Sequence, residues 1–355
     1  MKKLLEQLIQ FESDKDHPKE IEKSFLFVEN YLKKAGLKTK IYTFNGKFSL
    51  VAATKLKKHY QYILNGHLDV VPANYPNAFQ PLIKENRLFG RGTSDMKGTV
   101  ASMIEVICDP DLKNIDVAIM LNSDEETGGF DGVNYLVNKE GYSCDCVIVP
   151  DGGDNFELVL AEKGVLHIKI SASGIAAHGS RPWLGENAIE KLISVFQEIK
   201  TNLPETKPEN RWLPTVNLGK INGGDAINKV PSLAEMFLDF RYPQRKQRIT
   251  ILNLIKKVIK SKKNVIFEII SDGEVLETPP NNPYIKKALN IAKSAGINLK
   301  TVNEHGASDG RFFSAKGIPV LMFKPICSPA HVDNEWVDLE SLKKFSEVLK
   351  EFLLK

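Results

Sequence analysis

The 355-residue sequence has few of the features that mark secreted, membrane-spanning or nucleic-acid-binding proteins. Its four cysteines, Cys108, Cys144, Cys146 and Cys327, are sparse and lack zinc-finger spacing, which suits a reducing compartment. No segment reaches the apolar length of a membrane span, and no small-residue cleavage site follows the N-terminal leucines. We therefore expect a cytoplasmic protein with no membrane partner.

An excess of charge of one sign is also missing. The chain has 48 Lys and Arg against 44 Asp and Glu, and the lysines are scattered along it. Nucleic-acid binding usually needs a basic stripe or a clustered basic face, so we expect no nucleic-acid partner. Internal repeats are absent, and so is the strand–loop–helix nucleophile elbow of the serine hydrolases.

The order of predicted elements indicates two domains. Strands alternate with helices up to Asp151 and again from Pro279, which predicts an α/β domain with a mixed, largely parallel sheet flanked by helices. The stretch between them follows a β-α-β-β-α-β order, typical of a small α+β (ferredoxin-like) sandwich. We predict a catalytic domain formed by residues 1–163 and 274–355, with an inserted domain at residues 164–273.

Five short segments carry the residue types that a two-metal hydrolase needs: NGHLDVVP, GRGTSDMKG, NSDEETGG, VIVPDGGD and CSPAHVDNE. The candidate residues in them are His67, Asp69, Asp95, Glu125, Glu126, Asp151 and His331. Ligands of α/β sheets gather beyond the carboxyl ends of the strands, and these segments follow predicted strands or their loops. Imidazole and carboxylate without thiolate suit Zn²⁺ or another borderline ion, and a carboxylate shared by two ions would make the site co-catalytic.

Single members of this set have simpler explanations. Glu125 and Glu126 would suit the solvent-facing N-terminus of the helix that follows them. A lone His331 would more often be a surface or core histidine. Asp154 competes with Asp151 as a ligand, although Asp151 lies nearer the strand end. The presence of all seven candidates in one workable order favours a single site.

In this order the motifs resemble those of the zinc aminoacylase and deacylase family, which includes succinyl-diaminopimelate desuccinylase, acetylornithine deacetylase and glutamate carboxypeptidase. The resemblance covers essentially the whole chain. It implies a zinc-peptidase-like catalytic domain and an inserted domain that serves as lid and homodimer interface. It also implies two divalent metal ions, Zn²⁺ with Co²⁺ or Mn²⁺ as alternatives, and a small N-acyl amino acid or short peptide as substrate.

The resemblance implies a role for each residue of the site. The ligands would be His67 and Asp151 for one ion, Glu126 and His331 for the other, and Asp95 for both. The peptide bond from Asp95 to Met96 would be cis. Asp69 would orient His67 through its other ring nitrogen. Glu125 would be the general base that moves a proton from the attacking water to the leaving nitrogen.

Further residues are implied to bind the substrate. His178 would stabilise the oxyanion in the partner subunit's active site, although its Gly- and Ala-rich surroundings also fit an ordinary loop histidine. Arg241 would bind the substrate carboxylate, with Asn228 beside it as a further donor. The alternative for Arg241 is a structural role, in which its side chain caps or lies along a strand of the inserted domain. Gly306, Ser308 and Arg311 lie in a loop ahead of a helix, where free amides favour an anion. Arg311 has a structural salt bridge as its alternative.

One position departs from the family pattern. The desuccinylases and deacetylases usually have glutamate where this chain has Asp151, and aspartate is commoner in the dipeptidase and aminopeptidase branch. The predicted function is metal-dependent hydrolysis of an N-acyl amino acid that has a free carboxylate. The alternatives are a metallodipeptidase or aminopeptidase of the same family and a non-catalytic dimeric binding protein. Loss of Glu125 or of a ligand would mark the last case, and all are present.

Overall fold

The structure, a computed structural model, describes all residues from Met1 to Lys355. Contacts along the chain divide it into two compact units. The first unit comprises Met1–Ala161, Leu276–Glu304 and Ser308–Lys355, and the second comprises Glu162–Val275 and His305–Ala307. None of the helices combines the length and apolar character that a membrane span requires.

Nine helices and sixteen strands make up the two units. The helices are α1 (Lys2–Ile9), α2 (Pro18–Lys34), α3 (Lys97–Ile107), α4 (Val133–Asn138), α5 (Ala188–Thr201), α6 (Arg245–Lys260), α7 (Pro283–Ser294), α8 (Gly310–Ser314) and α9 (Leu339–Leu354). The strands are β1 (Lys38–Phe44), β2 (Lys47–Ala53), β3 (His59–His67), β4 (Leu82–Lys84), β5 (Arg87–Phe89), β6 (Val117–Asn122), β7 (Ser143–Ile148), β8 (Glu157–Glu162), β9 (Gly164–Ser173), β10 (Thr215–Gly223), β11 (Leu233–Tyr242), β12 (Val265–Gly273), β13 (Leu276–Glu277), β14 (Lys300–Glu304), β15 (Val320–Leu321) and β16 (Trp336–Asp338).

The first unit is built around a mixed six-stranded sheet in the order β1-β2-β6-β3-β7-β15. Four neighbouring strands of this sheet, β6, β3, β7 and β15, are parallel to one another. Strands β1 and β2 add an antiparallel edge. The α/β fold class with a mixed sheet flanked by helices is therefore confirmed. Asn45 and Gly46, both with positive φ, form the two-residue connection between β1 and β2, which is typical of an antiparallel hairpin.

Both faces of this sheet are buried. Within β6, Ile119 and Leu121 belong to one apolar cluster, and Ala118 and Met120 belong to the other. Neighbouring side chains of a strand point to opposite faces, so each strand contributes to both clusters. The strands are thus fixed from two sides, and so are the turns at their carboxyl ends.

The second unit has the predicted β-α-β-β-α-β order, from β9 to β12. Its four strands are antiparallel in the order β10-β11-β9-β12. Along β9, Leu166, Ile168 and Ile170 are fully buried in a cluster with residues of α5 and α6, whereas His167 and Lys169 are half-buried. This alternation indicates that the two helices cover one face of the sheet only.

The helix after Glu125 and Glu126 begins later in the chain than predicted. The helix predicted to follow Glu125 and Glu126 is α4, which begins only at Val133. Gly128 and Gly129 have φ values of 107° and 65°, which lie outside helical geometry. The chain therefore turns sharply after the short 3₁₀ helix Glu125–Thr127.

Candidate metal centre and active site

Three neighbouring parallel strands deliver four of the candidate residues. Strand β3 ends at His67 and lies between β6 and β7. The turn after β6 carries Glu125 and Glu126, and the turn after β7 carries Asp151. Because parallel strands present their carboxyl ends at one edge of the sheet, these side chains lie close together.

Asp95 and His331 reach the same place from loops. Asp95 lies just before α3, and its peptide bond to Met96 is cis, as predicted. His331 has a φ of 64°, in the left-handed region that non-glycine residues seldom adopt. Its side chain is 52% exposed, so His331 is the most open member of the site.

The carboxylate of Asp95 lies between the two histidine rings. Its Oδ1 is 3.2 Å from Nε2 of His67, and its Oδ2 is 3.1 Å from Nε2 of His331. Nε2 of His331 is also 3.2 Å from Oε2 of Glu126, and Nε2 of His67 is 3.7 Å from Oδ1 of Asp151. The side chains thus form two groups joined by one carboxylate.

Close packing of these charges shifts their pKa values. Contacts with Asp95 and Glu126 raise the pKa of His331 to about 10. Burial, together with the negative charge of Asp95, raises the pKa of Asp151 to about 8. Burial also disfavours the ionised form of Asp95, but contacts with His331 and His67 outweigh it and hold the pKa of Asp95 well below its ordinary value. A buried surplus of carboxylates is stabilised when cations neutralise it.

Glu125 lies in the group of His67 and Asp151, where donor atoms of all three are within 4.8 Å of one another. Burial and then the charge of Asp151 raise the pKa of Glu125 well above its ordinary value. Both effects make this carboxyl take up a proton more readily than a free glutamate, which is the direction that favours a general base. Glu126 is only 10% exposed, so the alternative of two solvent-facing carboxylates is wrong.

Asp69 forms hydrogen bonds with two of the candidate ligands, His67 and Glu126. The backbone oxygen of Asp69 is 2.8 Å from Nδ1 of His67, closer than the carboxylate Oδ1 at 3.5 Å. This contact places the hydrogen on Nδ1 and leaves Nε2 to act as a donor atom. The carboxylate Oδ2 accepts the backbone N–H of Glu126 at 3.1 Å.

The donor set fits a pair of divalent cations. The groups His67, Glu125, Asp151 and Asp95, Glu126, His331 each bring three potential ligand atoms within 4.8 Å of one another. Oε1 of Glu126 is buried and has no hydrogen-bond partner, which is costly unless another group uses it. Nitrogen and oxygen donors without sulfur suit Zn²⁺ and similar first-row ions.

Asp154 is not a member of either group. Its Oδ1 is 3.2 Å from Nζ of Lys324, a buried lysine that sequence reasoning missed. Burial disfavours the charge of Lys324, but the negative charges of Asp95, Asp154 and Asp151 outweigh it and raise its pKa. Of the two competing aspartates, Asp151 is therefore the one that lies among the potential ligands.

In the second unit, His178 lies in a loop that is tied to the segment around Asn228. The backbone N–H of Gly179 donates to the backbone oxygen of Asn228 at 2.6 Å. A Cβ at Gly179 would come within 2.9 Å of the same backbone, so the glycine is required for this approach. Asn228 thus supports the His178 loop through its main chain.

Arg241 lies on β11, where its Nε donates to Oδ1 of Asp239 at 2.8 Å. Nε2 of His167 is 3.4 Å from the same carboxylate oxygen. The remaining N–H groups of Arg241 make no hydrogen bond within the chain, and the side chain is 30% exposed. One edge of the guanidinium is therefore fixed, and the other can receive a carboxylate.

The three residues predicted to bind substrate around position 308 do not all belong to the same unit. Gly306 belongs to the second unit, whereas Ser308 and Arg311 belong to the first. Arg311 lies inside α8 and is 5% exposed. Its Nη1 donates to the backbone oxygen of Ser308 at 2.8 Å, and its Nη2 donates to that of Gly128 at 2.5 Å. These contacts favour the structural alternative for Arg311, with carbonyl groups as its partners.

A buried acid beside this arginine was also missed. Asp309 is 2% exposed and accepts a hydrogen bond from Nδ2 of Asn122 at 2.5 Å. A Cβ at Gly129 would lie 1.9 Å from its Oδ1. Burial, followed by the negative charge of Asp124, raises the pKa of Asp309 to about 7. No local pattern pointed to Asp309, because Ser-Asp-Gly is typical of an ordinary turn.

Fold and site together define a metal-dependent hydrolase of amide bonds, a metallopeptidase by class. The chain belongs to peptidase family M20/M25/M40, which it matches over residues 63–355. It is 26% identical to a succinyl-diaminopimelate desuccinylase of Rickettsia bellii, covering 92% of this chain and 90% of that protein. It is also 26% identical to an acetylornithine deacetylase of Buchnera aphidicola, covering 82% and 79%. A tripeptidase structure from Staphylococcus aureus has a TM-score of 0.82 at 21% identity, covering 99% of this chain and 96% of that one.

Proposed function

We propose that the protein hydrolyses the amide bond of an N-acyl amino acid with a free carboxylate, using two zinc ions. The observation that supports this most is the Asp95 carboxylate, whose two oxygens face different histidines at 3.2 and 3.1 Å. A carboxylate between two ligand groups is what a co-catalytic pair of ions needs. The desuccinylase and deacetylase relatives support the N-acyl amino acid as substrate class.

Five residues would hold the ions. His67 and Asp151 would bind one ion, Glu126 and His331 would bind the other, and Asp95 would bind both. Bound ions would supply Lewis acidity toward the scissile carbonyl and lower the pKa of the attacking water. Co²⁺ or Mn²⁺ could replace zinc at such donors.

Glu125 handles the proton in the proposed reaction. Its half-buried carboxylate takes a proton from the attacking water and delivers it to the leaving nitrogen, so the nitrogen departs as an amine. Asp69 keeps His67 and the backbone of Glu126 in place through its carbonyl and carboxylate groups. Neither role requires these residues to contact bulk water.

The second unit would supply substrate contacts. The free edge of Arg241 binds the substrate carboxylate, and Asn228 is a further donor. His178 donates to the oxyanion of the tetrahedral intermediate, in the partner subunit of a homodimer. Gly306 and Ser308 are further candidates for substrate binding. We place this chemistry in the cytoplasm.

A metallodipeptidase is the second candidate function. Asp151 is shorter than the glutamate usual in deacylases, and a shorter ligand shifts its ion and could favour a substrate with a free α-amino group. The two functions differ in the group attached to the scissile carbonyl, so a substrate panel separates them.

The deciding experiment is amide hydrolysis measured on succinyl amino acids, acetyl amino acids and dipeptides. Chelator-treated protein should be inactive, and Zn²⁺ or Co²⁺ should restore activity on one class. Preference for succinyl or acetyl substrates supports the deacylase, whereas preference for free dipeptides supports the second candidate. Activity that survives complete metal removal would refute both.

A further inference from the structure

The ring of His178 is held by Ser180 in a way that determines which nitrogen carries the hydrogen. The backbone N–H of Ser180 donates to Nδ1 of His178 at 3.1 Å, and the Ser180 hydroxyl lies 2.8 Å from the same nitrogen. An amide N–H can only donate, so Nδ1 must present its lone pair. In a neutral imidazole with a bare Nδ1, the hydrogen is on Nε2.

The backbone around this contact is fixed from the neighbouring segment. His178 forms an antiparallel bridge with Lys229, and Gly179 donates its N–H to the oxygen of Asn228 at 2.6 Å. The Ser180 amide follows directly in the chain. Its direction toward Nδ1 is therefore set by the loop and does not depend on a mobile side chain.

We propose that Ser180 is a positioning residue that keeps His178 in the Nε2–H tautomer. Nε2 then points its hydrogen outward, ready to donate to an oxygen that gains negative charge. The other tautomer would direct a lone pair at that oxygen, so the oxygen would lose this hydrogen-bond donor. The identity of the oxygen rests on the proposed function, but the tautomer is a property of the resting protein.

The tautomer can be measured without substrate. Metal-loaded, deuterated protein with ¹⁵N-labelled histidine gives long-range ¹H–¹⁵N correlations for its seven histidines, and those of His178 are the ones lost in His178→Gln. We expect an unprotonated Nδ1 and a protonated Nε2. A hydrogen on Nδ1 would overturn the proposal whatever the activity of the enzyme.

Two substitutions at Ser180 test the hydroxyl. Ser180→Ala keeps the amide contact but removes the shorter hydroxyl contact, so the preference for the Nε2–H tautomer should weaken and kcat should fall about three- to tenfold, the value of one hydrogen bond, with KM unchanged. Ser180→Thr keeps a hydroxyl and should restore both the spectrum and kcat. Ser180 is exposed, so melting temperatures should match the wild type.

A Ser180→Ala protein with the wild-type tautomer and wild-type kcat would show that the hydroxyl has no such role. If no substrate of the panel is hydrolysed, the proposed function fails, whereas the histidine spectrum still decides the tautomer. The two hypotheses are therefore separable.

Discussion

Arg91 and Glu335 form an ion pair in the interior of the first unit, with Nη1 of Arg91 3.0 Å from Oε2 of Glu335 and both side chains at most 3% exposed. The same Nη1 donates to the backbone oxygen of Val332 at 3.1 Å. Oε2 of Glu335 also accepts the backbone N–H of the residue after Arg91 at 2.6 Å. Val332 follows His331, so the pair ties the loop of one candidate ligand to the loop that leads to Asp95.

Glu335→Gln should therefore destabilise the fold and loosen the ion site of His331. Removing one partner of a buried pair leaves an uncompensated charge and costs about 3–5 kcal/mol. Urea unfolding measures this loss, and titration with Zn²⁺ should show weaker binding of one of the two ions. Glu340→Gln is the control, because its pair with Lys344 is exposed and should contribute under ~1 kcal/mol. Equal effects of both substitutions would contradict the structural role of Glu335.

The sequence patterns indicated the candidate ligands but not the ion pair of Arg91 and Glu335. His67 and the Glu125–Glu126 pair follow apolar strands, and the edge of an α/β sheet brings such turns together whatever the rest of the chain does. Arg91 and Glu335 meet across 244 positions between two loops, and no local pattern carries that pairing. A hairpin signal was present but unused, since Asn45-Gly46 indicates the antiparallel edge.

Asp151→Asn and Asp154→Asn should have opposite consequences. Asp151 is 3.7 Å from Nε2 of His67, and its loss should reduce bound Zn²⁺ from two ions to one. Asp154 lies outside both groups and contacts Lys324 and Cys327, so its loss should keep both ions but lower stability by more than the ~1 kcal/mol of an exposed pair. Elemental analysis and thermal denaturation of the two variants make the comparison. Loss of metal from the Asp154 variant would reverse the assignment.

Glu125→Gln should retain both ions and lose turnover. The amide keeps the size of the side chain but cannot accept a proton from water, so kcat should fall by about 10²–10⁴. Glu126→Gln is the matched control at the adjacent position, where weakened metal binding should accompany the loss of activity. Kinetics and metal content measured on the same preparations separate the two outcomes. Metal loss from the Glu125 variant would make Glu125 a ligand and not the base.

Arg311 shows where residue type alone was insufficient. An arginine near a helix N-terminus fits an anion site as well as a structural contact. The contact that favours the structural role is with Gly128. Its backbone oxygen accepts a hydrogen bond from the Arg311 guanidinium, although the two residues are far apart in sequence. Asp309 escaped attention for the same reason, because its burial follows from the packing of Gly129 against it.

The pH dependence of stability should reveal Asp309. Burial raises its pKa to about 7, above the value of about 3.9 for an unfolded aspartate. Between these values the folded protein binds more protons than the unfolded chain, so this group lowers stability as pH rises, and the full penalty is present above pH 7. Asp309→Asn keeps an oxygen to accept from Asn122 but does not titrate. Its stability relative to wild type should therefore increase from pH 4 to pH 8, by on the order of 2–4 kcal/mol. Because the comparison is a difference, titrating groups that do not interact with Asp309 cancel. A flat curve for Asp309→Asn would mean that folding does not raise the pKa of this carboxyl.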